Sequence, residues 1–526
     1  MSPFWCNYIS HKYLYIDFVI FTIYLTVFKM LLHIDETKKY LVIDRCTQAE
    51  YDQLTLSYQK YAKNYKFHPK YKNGLWDGKI NFIKGKYLPA TTYKYLFDLC
   101  NEYNFDCEID GLESIIDDDF DCEDFKSWVD EFFKGTKWKP RYYQIDSAYN
   151  IIKYKRCMGN SCTSSGKTLL SFMIFAYLLT HKKVNKILVV VPTVGLVLQT
   201  SGDYEEYNSD KLPINIQQVY SGCKYRDNTN IVVGTYQTLT KENKEFFDQF
   251  DCIFVDEVHK GSCVSIQKIL DNCDCEYKFG LSGTIPNMKT AEGLTLCSSL
   301  GPIVFNITAS QLQDEGYISN CKITQVRLNY TNDAQKESFK NAKKQLSKVG
   351  KGADMYRIET KFINESEKRF NVITKLISKV DKNTMVLFKE IDYGKQLFKW
   401  LKENTNKMVY YIDGQISTEV REEIRKRMES KNDVVLVASF GTSSTGISIN
   451  NIFNIFFVSS YKSTSTILQS IGRGLRKSDA IGKDFVNIYD ISDDLYSGCY
   501  EMGHARERIK IYESQCFPYE IKKLKI

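Results

Sequence analysis

The sequence predicts an α/β protein in which two parallel-sheet domains follow one another and a small α+β domain precedes them. Two observations predict this fold class. Short apolar runs rich in Val and Ile recur between helical stretches, as one series in the middle of the chain and another in its C-terminal half. Uninterrupted runs of this kind are typical of strands that are covered on both faces of a parallel sheet. The segment ahead of both series is dominated by lysine and aromatic residues.

The composition fits a folded intracellular protein. The chain has 526 residues, a hydrophobic content of 43% and a formal net charge of +7, so it has room for about three to four domains with real cores. This charge permits an anionic partner without requiring one. The 16 cysteines include no CxxC pair, which gives no zinc pattern. We expect reduced thiols and a cytoplasmic location, in the host cytoplasm if the protein is viral.

The N-terminal stretch is interpreted as an extension. Residues 14–28 are strongly apolar, but the run contains Asp17 and is followed by Lys29, and a membrane helix needs about 20 apolar residues. We predict that residues 1–29 are an extension or artefact ahead of a start at Met30, with no stable membrane partner. A signal anchor is the alternative interpretation.

Residues 30–105 are predicted to form a basic, aromatic domain, with a first strand at 38–44. Between residues 58 and 97 the segment is rich in lysine, and up to Tyr95 it contains a single acidic residue, Asp77. Lysines neutralise phosphates and aromatic faces stack on bases, so we predict nucleic-acid binding through Lys70, Lys72, Trp76 and Lys79. The alternative is a solvated lysine face over an aromatic core. The lysines are Lys60, Lys63, Lys66, Lys70, Lys72, Lys79, Lys84, Lys86 and Lys94.

The next segment reverses the sign of the charge. A run of acidic residues extends from Asp117 to Asp124, and such runs are usually solvated. We therefore predict an acidic linker over residues 106–137.

The two series of apolar runs define two further predicted domains. The first lies at 186–191, 231–235, 252–256 and 278–284, and the second at 384–388, 408–412, 434–439, 453–459 and 485–490. We assign residues 138–305 and 306–495 to the two parallel-sheet domains. Residues 496–526 are predicted to be a basic helix and a tail without an assigned role.

The stretch NSCTSSGKTLL (160–170) has most of a phosphate-binding loop. Gly166 permits close approach of a phosphate, Lys167 supplies positive charge and Thr168 can hold Mg²⁺. The first glycine of such loops is absent, and Ser161 stands in its place.

The strand-like run IFVDEVHK (253–260) ends in two carboxylates. In a nucleotide-hydrolysing site, Asp256 would hold Mg²⁺ and Glu257 would orient and deprotonate the attacking water. The alternative is an acidic helix cap after a buried strand.

Further motifs fit the same chemistry. Arg473 and Arg476 in QSIGRGLRK (469–477) are three residues apart, which predicts that they share one helical face and serve as arginine fingers; surface charge is the alternative. Arg141 and Gln144 in KPRYYQIDSA (139–148) are candidates for nucleotide binding, since an amide can read adenine.

In order and spacing these motifs resemble those of superfamily 2 helicases over residues 139–495. TSSGKT (163–168) is similar to motif I, DEVH (256–259) to motif II of the DExH type and QSIGRGLRK to motif VI. The resemblance implies two RecA-like domains that clamp ATP and Mg²⁺. The first glycine of motif I often differs in this superfamily, so Ser161 does not argue against function.

The resemblance also implies roles for individual residues. Nucleotide binding falls to Thr163, Ser164, Ser165, Gly166, Lys167 and Thr168, and hydrolysis to Lys167, Asp256, Glu257, Gln469, Arg473 and Arg476. Nucleic-acid contacts fall to Thr193 and to Thr235 and Gln237 of GTYQTL, and to Thr442 of motif V. The residues expected to couple the nucleotide site to the nucleic-acid groove are His259, Ser282 and Thr284 of SGT, and Gly446. His259 is expected to link the nucleotide site to Gln469.

One branch of the superfamily fits more closely. The segment YKFHPKYKNGLWDGKINFI (65–83) is similar to the N-terminal domain of the phage UvsW helicases, and the variants TSSGKT, FGLSGT and STGISI also resemble that branch. The resemblance implies ATP-driven fork regression, branch migration and removal of D-loops and R-loops in recombination, repair and replication. Ser448 departs from the wider superfamily, where many members carry Asp.

The expected partners are branched or single-stranded DNA, with RNA–DNA hybrids as a further candidate, and the expected state is a monomer. Two alternatives within enzymes are an RNA helicase and a motor subunit of a restriction or remodelling complex. A rival of another class is a passive nucleic-acid-binding module with a degenerate ATPase. The intact Lys167, Asp256, Glu257, Arg473 and Arg476 argue against that rival.

Overall fold

The computed structural model describes residues 29–223, 225, 229–260, 264–348, 350, 352–443, 449–478 and 481–526. The apolar run at 14–28 lies outside the described residues, as do Gly446 and Ser448 of motif V. None of the helices in the described ranges is long and apolar enough to cross a membrane.

Strands and helices alternate along most of the chain. The strands are β1 Met30–Ile34, β2 Tyr40–Arg45, β3 Gln59–Tyr61, β4 Lys79–Asn81, β5 Tyr87–Pro89, β6 Cys107–Asp110, β7 Arg156–Ser161, β8 Ile187–Val191, β9 Ile216–Val219, β10 Ile231–Thr235, β11 Cys252–Asp256, β12 Tyr277–Ser282, β13 Ile303–Ile307, β14 Asn320–Asn329, β15 Thr384–Phe388, β16 Met408–Ile412, β17 Val434–Ser439, β18 Asn454–Phe457, β19 Phe485–Asp494 and β20 Tyr519–Lys525. The α-helices are Gln48–Ser57, Pro69–Lys72, Tyr93–Tyr103, Cys122–Phe133, Tyr142–Tyr154, Lys167–His181, Val194–Asn208, Tyr236–Leu239, Lys244–Phe247, Val264–Asn272, Ala291–Leu300, Ala309–Asp314, Asp333–Lys348, Gly352–Glu365, Glu367–Lys379, Ile391–Asn404, Thr418–Ser430, Phe440–Ser443, Thr464–Gly474 and Tyr500–Ser514.

A small mixed sheet opens the described chain, as the α+β prediction requires. Its strand order is β5-β2-β1-β6, and β3 and β4 form a separate antiparallel pair. Strand β1 pairs antiparallel with β2 and parallel with β6. Strand β6 lies in the stretch predicted to be a linker, so that prediction is wrong for Cys107–Asp110.

The acidic run caps a helix. The Asp121 side chain accepts hydrogen bonds from the backbone N–H groups of Glu123 and Asp124, at the start of the helix Cys122–Phe133. Acidic groups at this end satisfy free N–H donors and suit the helix dipole. Phe125 and Val129 on the same helix are buried, so the linker prediction is wrong here too.

The first parallel sheet has seven strands in the order β13-β7-β12-β11-β8-β10-β9. Strand β11 lies between β8 and β12 and pairs parallel with both. Strands β10 and β11 begin and end at the predicted residues, and the apolar side chains of β8, β10 and β11 are buried. This confirms a parallel sheet covered on both faces.

The second sheet also has seven parallel strands, in the order β16-β17-β15-β18-β19-β14-β20. The fold class is therefore the predicted one, two RecA-like parallel sheets after a small α+β region. The last strand, β20, pairs parallel with β14 from Ile323 and Tyr519 to Asn329 and Lys525. The structure thus has a sheet strand where the sequence predicted a tail.

The described residues form two compact units. One comprises residues up to Gly159, Leu170–Val190 and Tyr207–Phe305, and the other comprises Asn160–Leu169, Val191–Glu206 and Asn306–Ile526. The segment Asn160–Leu169, which contains the predicted phosphate loop, thus belongs to the second unit.

Within the first unit, the small sheet packs on the helix Ala291–Leu300. Leu294 of that helix belongs to the same buried cluster as Leu41 and Leu96. The Thr91 hydroxyl donates to the Ser298 carbonyl at 2.9 Å. The small region therefore shares a core with this helix, and deleting it would expose apolar surface.

Candidate functional site

The phosphate loop, residues 162–166, joins β7 to the helix Lys167–His181. Its backbone is left-handed at Ser164 (φ 72°) and Gly166 (φ 82°), and Ser161 is not among the residues with positive φ. Left-handed turns at a helix start aim backbone N–H groups at an anion. The position of the missing glycine needs no such backbone, which explains why serine is accommodated there.

Serine side chains brace this loop from inside. The hydroxyls of Ser161 and Ser165 are 2.6 Å apart, and Ser165 also donates to the Cys162 carbonyl at 2.8 Å. Both serines are buried. The Lys167 ammonium donates to the Ser161 carbonyl at 3.3 Å. An ammonium has three donors, so Lys167 can bind a phosphate oxygen while it keeps this contact.

The arginine helix, Thr464–Gly474, touches the phosphate loop within the second unit. The Ser164 hydroxyl donates to the Gly472 carbonyl at 2.8 Å. A Cβ atom on Gly472 would lie 2.3 Å from the Thr163 Cβ. Glycine is therefore required where these two segments meet, one residue before Arg473.

The prediction that Arg473 and Arg476 share a helical face is wrong. The arginine helix ends at Gly474, so Arg476 lies in the segment after it. The buried Lys483 ammonium donates to the Gly474 carbonyl at 2.6 Å and also to the Arg476 carbonyl. Lys483 therefore satisfies the carbonyls that the helix end leaves open. Burial, together with the charge of Arg476, lowers the pKa of Lys483 to about 8.

Two buried arginines hold the loop Val458–Tyr461, which precedes the arginine helix. Arg369 donates to the Val458 carbonyl at 2.7 Å and to Asp493 at 2.8 Å. Arg508 donates to the Tyr461 carbonyl at 3.0 Å and forms a 2.7 Å ion pair with Asp490. Each guanidinium thus ties one carbonyl of the loop to strand β19.

A third contact to the same loop comes from the helix Tyr500–Ser514. His504 Nδ1 lies 2.9 Å from the Ser460 hydroxyl. Burial and nearby positive charges lower the pKa of His504 to about 4, so it is neutral at neutral pH. On the same helix, burial raises the pKa of Glu501 to about 7, although a hydrogen bond with Ser460 opposes the shift. The segment without an assigned role therefore supports motif VI.

Thr193 lies between β8 and the helix Val194–Asn208 and accepts a 3.4 Å hydrogen bond from the Leu196 N–H. Asp203 on that helix is largely buried, and burial raises the pKa of its carboxyl to about 6. A hydrogen bond from Gln199 and the charge of Arg476 oppose this shift. Asp203 is thus close enough to Arg476 to feel its charge, in a segment that the sequence analysis did not single out.

In the first unit, the carboxylates follow β11. Glu257 has a left-handed backbone (φ 52°), and its N–H donates to Asp256 Oδ1 at 2.9 Å. A non-glycine residue in this conformation is strained, and such residues cluster at functional sites. His259 Nδ1 lies 3.2 Å from Glu257 Oε2 and 2.8 Å from the Ser282 hydroxyl.

Ser282 links the DEVH segment (256–259) to the SGT segment (282–284) of the same unit. It is fully buried, and its hydroxyl accepts a 3.2 Å hydrogen bond from the Thr284 N–H. The structure therefore brings three of the predicted coupling residues, His259, Ser282 and Thr284, into one chain of contacts that starts at Glu257.

The remaining predicted residues have local partners. Gln144 is buried, and its side-chain oxygen accepts from the Arg141 N–H at 2.9 Å, which caps the helix Tyr142–Tyr154. Thr235 donates to the Thr238 hydroxyl at 3.1 Å. The Thr442 hydroxyl lies 2.5 Å from that of Ser439. Gln237 is exposed and Gln469 is half-buried.

In the small region, the predicted nucleic-acid residues divide into two groups. Lys70 and Lys72 are exposed. Trp76 is half-buried and donates to the Lys79 carbonyl at 2.8 Å, and the Lys79 ammonium donates to Gln59 at 3.0 Å. Trp76 and Lys79 therefore support this region, and the exposed lysines are free to meet phosphates.

Sequence reasoning missed the residues that support the arginine segment, Arg369, Lys483 and Arg508. Their partners include backbone carbonyls, which lie 89 residues away in sequence for Arg369, 47 for Arg508 and 9 or 7 for Lys483. No local pattern reveals which carbonyl each side chain meets.

Comparisons with known proteins identify the family of this chain. Two family models match, the res subunit of type III restriction enzymes over residues 137–287 and the helicase conserved C-terminal domain over residues 368–478. The ATP-dependent DNA helicase UvsW of Enterobacteria phage T4 is 30% identical over 502 residues, which are 91% of this chain and 96% of that protein.

Among solved structures, T4 UvsW is 27% identical and covers 94% of this chain and 99% of its own, with a TM-score of 0.47. The type ISP restriction-modification enzyme LlaBIII, solved bound to DNA, is 16% identical over 74% of this chain and 32% of its own, with a TM-score of 0.53. The likeness to LlaBIII concerns the fold alone. On the extent and identity of the T4 match, together with the two helicase models, this chain belongs to the UvsW family of ATP-dependent DNA helicases.

Proposed function

We propose that this helicase uses ATP and Mg²⁺ to remodel branched DNA through fork regression, branch migration and the unwinding of D-loops and R-loops. The observation that carries the proposal is the hydrogen bond of Ser164 to Gly472 at 2.8 Å. It joins a loop shaped for phosphates to the helix that bears Arg473, which is the pairing that nucleotide-dependent motors need.

The phosphate loop fits a nucleotide. Left-handed backbone at Ser164 and Gly166 precedes the first turn of a 15-residue helix, and such an end binds anions. Lys167 would meet the terminal phosphates, and Thr168 and Asp256 would hold Mg²⁺. Arg141 and Gln144 would bind the base. When bound, ATP supplies the phosphoanhydride bond whose hydrolysis drives remodelling.

Glu257 would accept the proton of the attacking water. Its carboxylate lies 3.2 Å from His259 Nδ1, and Ser282 contacts that same nitrogen. We infer that His259 and Ser282 orient the Glu257 carboxylate. Through them, a change at this carboxylate would affect Thr284 and then Gln469. Arg473 and Arg476 would stabilise the charge that develops during hydrolysis.

Nucleic acid would contact Thr193, Thr235, Gln237 and Thr442, each of which lies at or just after the carboxyl end of a parallel strand. Ligands of open α/β sheets bind at that end. Lys70 and Lys72 would hold phosphates of the duplex arms. The monomeric state, the cytoplasmic location and the binding of RNA–DNA hybrids stay predictions.

The test is ATP hydrolysis by the whole chain and by Lys167→Ala, without nucleic acid and with single-stranded DNA, forked DNA, an R-loop or duplex RNA. We expect forked DNA to stimulate the wild type most and Lys167→Ala to be inactive. Lys183→Ala is the control, because Lys183 is an exposed lysine that lies just after the end of the same helix. Wild-type turnover by Lys167→Ala would contradict the site.

The same assay separates the alternatives. Strongest stimulation by duplex RNA would indicate an RNA helicase. Equal fork binding by both proteins without hydrolysis by either would indicate a passive binding module. Point variants are preferable to deletion of residues 30–105, because that region shares a core with Leu294.

A further inference from the structure

The segment that connects β3 to β4, residues 62–78, carries the most exposed Phe and the most exposed Leu among the described residues. We name it the tip. Phe67 is 75% exposed and Leu75 is 76% exposed. Among the large hydrophobic residues that the structure describes, Val264 alone is more exposed, at 85%.

Stacked rings pack at the base of the tip. The ring of Tyr65 stacks on Tyr61 at 4.5 Å and meets the edge of Tyr71 at 4.9 Å. Gly78 has a φ of 83°, and a Cβ atom on it would lie 2.4 Å from the Tyr65 ring. The base of the tip is therefore closely packed, with no room for a larger residue at Gly78.

A second ring contact joins the two parts of the tip that carry the exposed Phe67 and Leu75. His68 and Trp76 lie 5.2 Å apart in an edge-to-face arrangement. Phe67 directly precedes His68, and Leu75 directly precedes Trp76. The Leu75 N–H also donates to the Lys70 carbonyl at 2.8 Å. Phe67 and Leu75 are thus both held outward by packed neighbours.

The tip is also strongly basic. Its exposed lysines are Lys63, Lys66, Lys70 and Lys72, and Asp77 is its one acidic residue. The same segment thus carries two exposed apolar side chains and four exposed cations. It is complementary to a ligand that offers a flat apolar face between anionic groups, which is what a base pair between two phosphate strands presents.

We propose that Phe67 and Leu75 seat against the outermost base pair of a DNA branch point while the tip lysines hold the flanking phosphates. This inference rests on the proposed function and adds the element that distinguishes a branch from continuous duplex. Apolar side chains such as Phe and Leu can wedge between base steps, but an intact duplex must be unstacked to admit them. A branch already exposes one face of its last pair, so the tip binds there without that cost.

The test uses the whole chain and a fork with 2-aminopurine in the base pair nearest the branch. Unstacking or restacking of that base changes its fluorescence. The variant is Phe67→Ala with Leu75→Ala. The matched control is Leu56→Ala, which removes an apolar side chain that is 63% exposed on the helix Gln48–Ser57 of the same region.

We expect the wild type and Leu56→Ala to change the fluorescence and to convert the fork at equal rates. The double variant should lose the fluorescence change and convert the fork about tenfold more slowly, the size expected for the loss of a stacked base. Its ATP hydrolysis on unbranched single strands should fall far less. Phe67→Trp should keep both signals, since a larger ring still stacks.

Three outcomes would overturn the inference or its basis. If the double variant matches the wild type on forks, the tip is not a wedge while the proposed function stands. If it keeps fork activity but sediments as a smaller species than the wild type, the apolar pair contacts a second copy of the chain. If the wild type neither hydrolyses ATP on forks nor converts them, the proposed function fails and this inference fails with it.

Discussion

The hydroxyl of Ser164 donates a 2.8 Å hydrogen bond to the carbonyl of Gly472, and Thr163 occupies the space where a side chain on Gly472 would begin. The phosphate loop predicted from the sequence and an arginine-bearing helix, more than 300 residues apart in sequence, are thereby in direct contact. The contact explains why glycine precedes Arg473 and makes this position sensitive to substitution.

Gly472→Ala should lower kcat for ATP hydrolysis by about tenfold, because the new methyl group overlaps Thr163 and overpacking costs about 1–3 kcal/mol. Steady-state kinetics on forked DNA measure this. Adding Thr163→Gly removes the overlapping Cβ atom and should restore part of the rate. A Gly472→Ala enzyme with wild-type kcat would show that this contact is not made during turnover.

Glu257→Gln should bind ATP with nearly unchanged affinity and hydrolyse it about 10²-fold or more slowly, because the amide keeps the shape of the side chain but cannot accept a proton. Nucleotide binding by fluorescence and single-turnover hydrolysis separate the two effects. Glu257→Gly is a useful comparison, since it also removes the left-handed strain (φ 52°) and should be more stable than the Gln variant. Collapse of ATP affinity in Glu257→Gln would assign Glu257 a structural role instead.

Arg473→Ala and Arg476→Ala should each reduce kcat more than they raise KM, because a finger acts on charge that develops in the transition state. Fingers contribute about 10³–10⁵ in rate elsewhere, and we expect about 10² for each here because two arginines share the task. Arg427→Ala is the control, since Arg427 pairs with Glu423 on an exposed helix surface. Unchanged kcat in both variants would mean that these arginines are surface charges and not arginine fingers.

Arg508→Lys should destabilise the second unit by about 3 kcal/mol, as expected when a buried ion pair loses its geometry. Lysine cannot reproduce the four contacts that Arg508 makes with Asp490, Ser492 and the Tyr461 carbonyl. Urea unfolding measures the loss of stability. Because Tyr461 precedes the arginine helix, kcat should also fall at a temperature where the variant is folded. Full kcat there would limit Arg508 to a stabilising role.

The stability of the wild type relative to Glu501→Gln should decrease as pH rises from about 5 to above 7. Burial raises the pKa of Glu501 from an ordinary 4.5 to about 7, so in this range the folded chain holds a proton that the unfolded chain has released. More protons bound in the folded state mean that stability falls with increasing pH. Urea unfolding of both proteins at pH 5 and 8 measures the difference. Parallel pH profiles would mean that Glu501 titrates normally.

Local pattern was enough to predict the strands and the chemical motifs. Strands β10, β11, β15, β16 and β17 begin and end where their apolar runs do. Except in the edge strand β16, nearly every residue of these strands is buried, so no polar position blurs the limits of the run. The phosphate loop and the DEVH carboxylates were predicted for a similar reason, since their chemistry requires fixed residue types at fixed spacing.

Other features depended on partners that are distant in sequence. The acidic run was predicted to be a linker because Asp121 and its neighbours make the segment strongly charged. The apolar face formed by Phe125 and Val129 becomes evident only in the structure, where that face is buried. The charged strand β20 has a sequence that resembles a tail, and it is a strand because β14 supplies its hydrogen bonds.

The sequence by itself determined the fold class and the two sets of parallel strands, and it predicted the residues for ATP chemistry, since each of these follows from short-range periodicity or spacing. Only the tertiary structure decided where the arginine helix ends, that Lys483 caps it, and that Arg369 and Arg508 hold the loop before it. Those features are hydrogen bonds to backbone carbonyls, which every residue carries. A pattern of side chains in the sequence therefore cannot predict which carbonyl a buried cation will bind. That pairing is decided only when the chain folds.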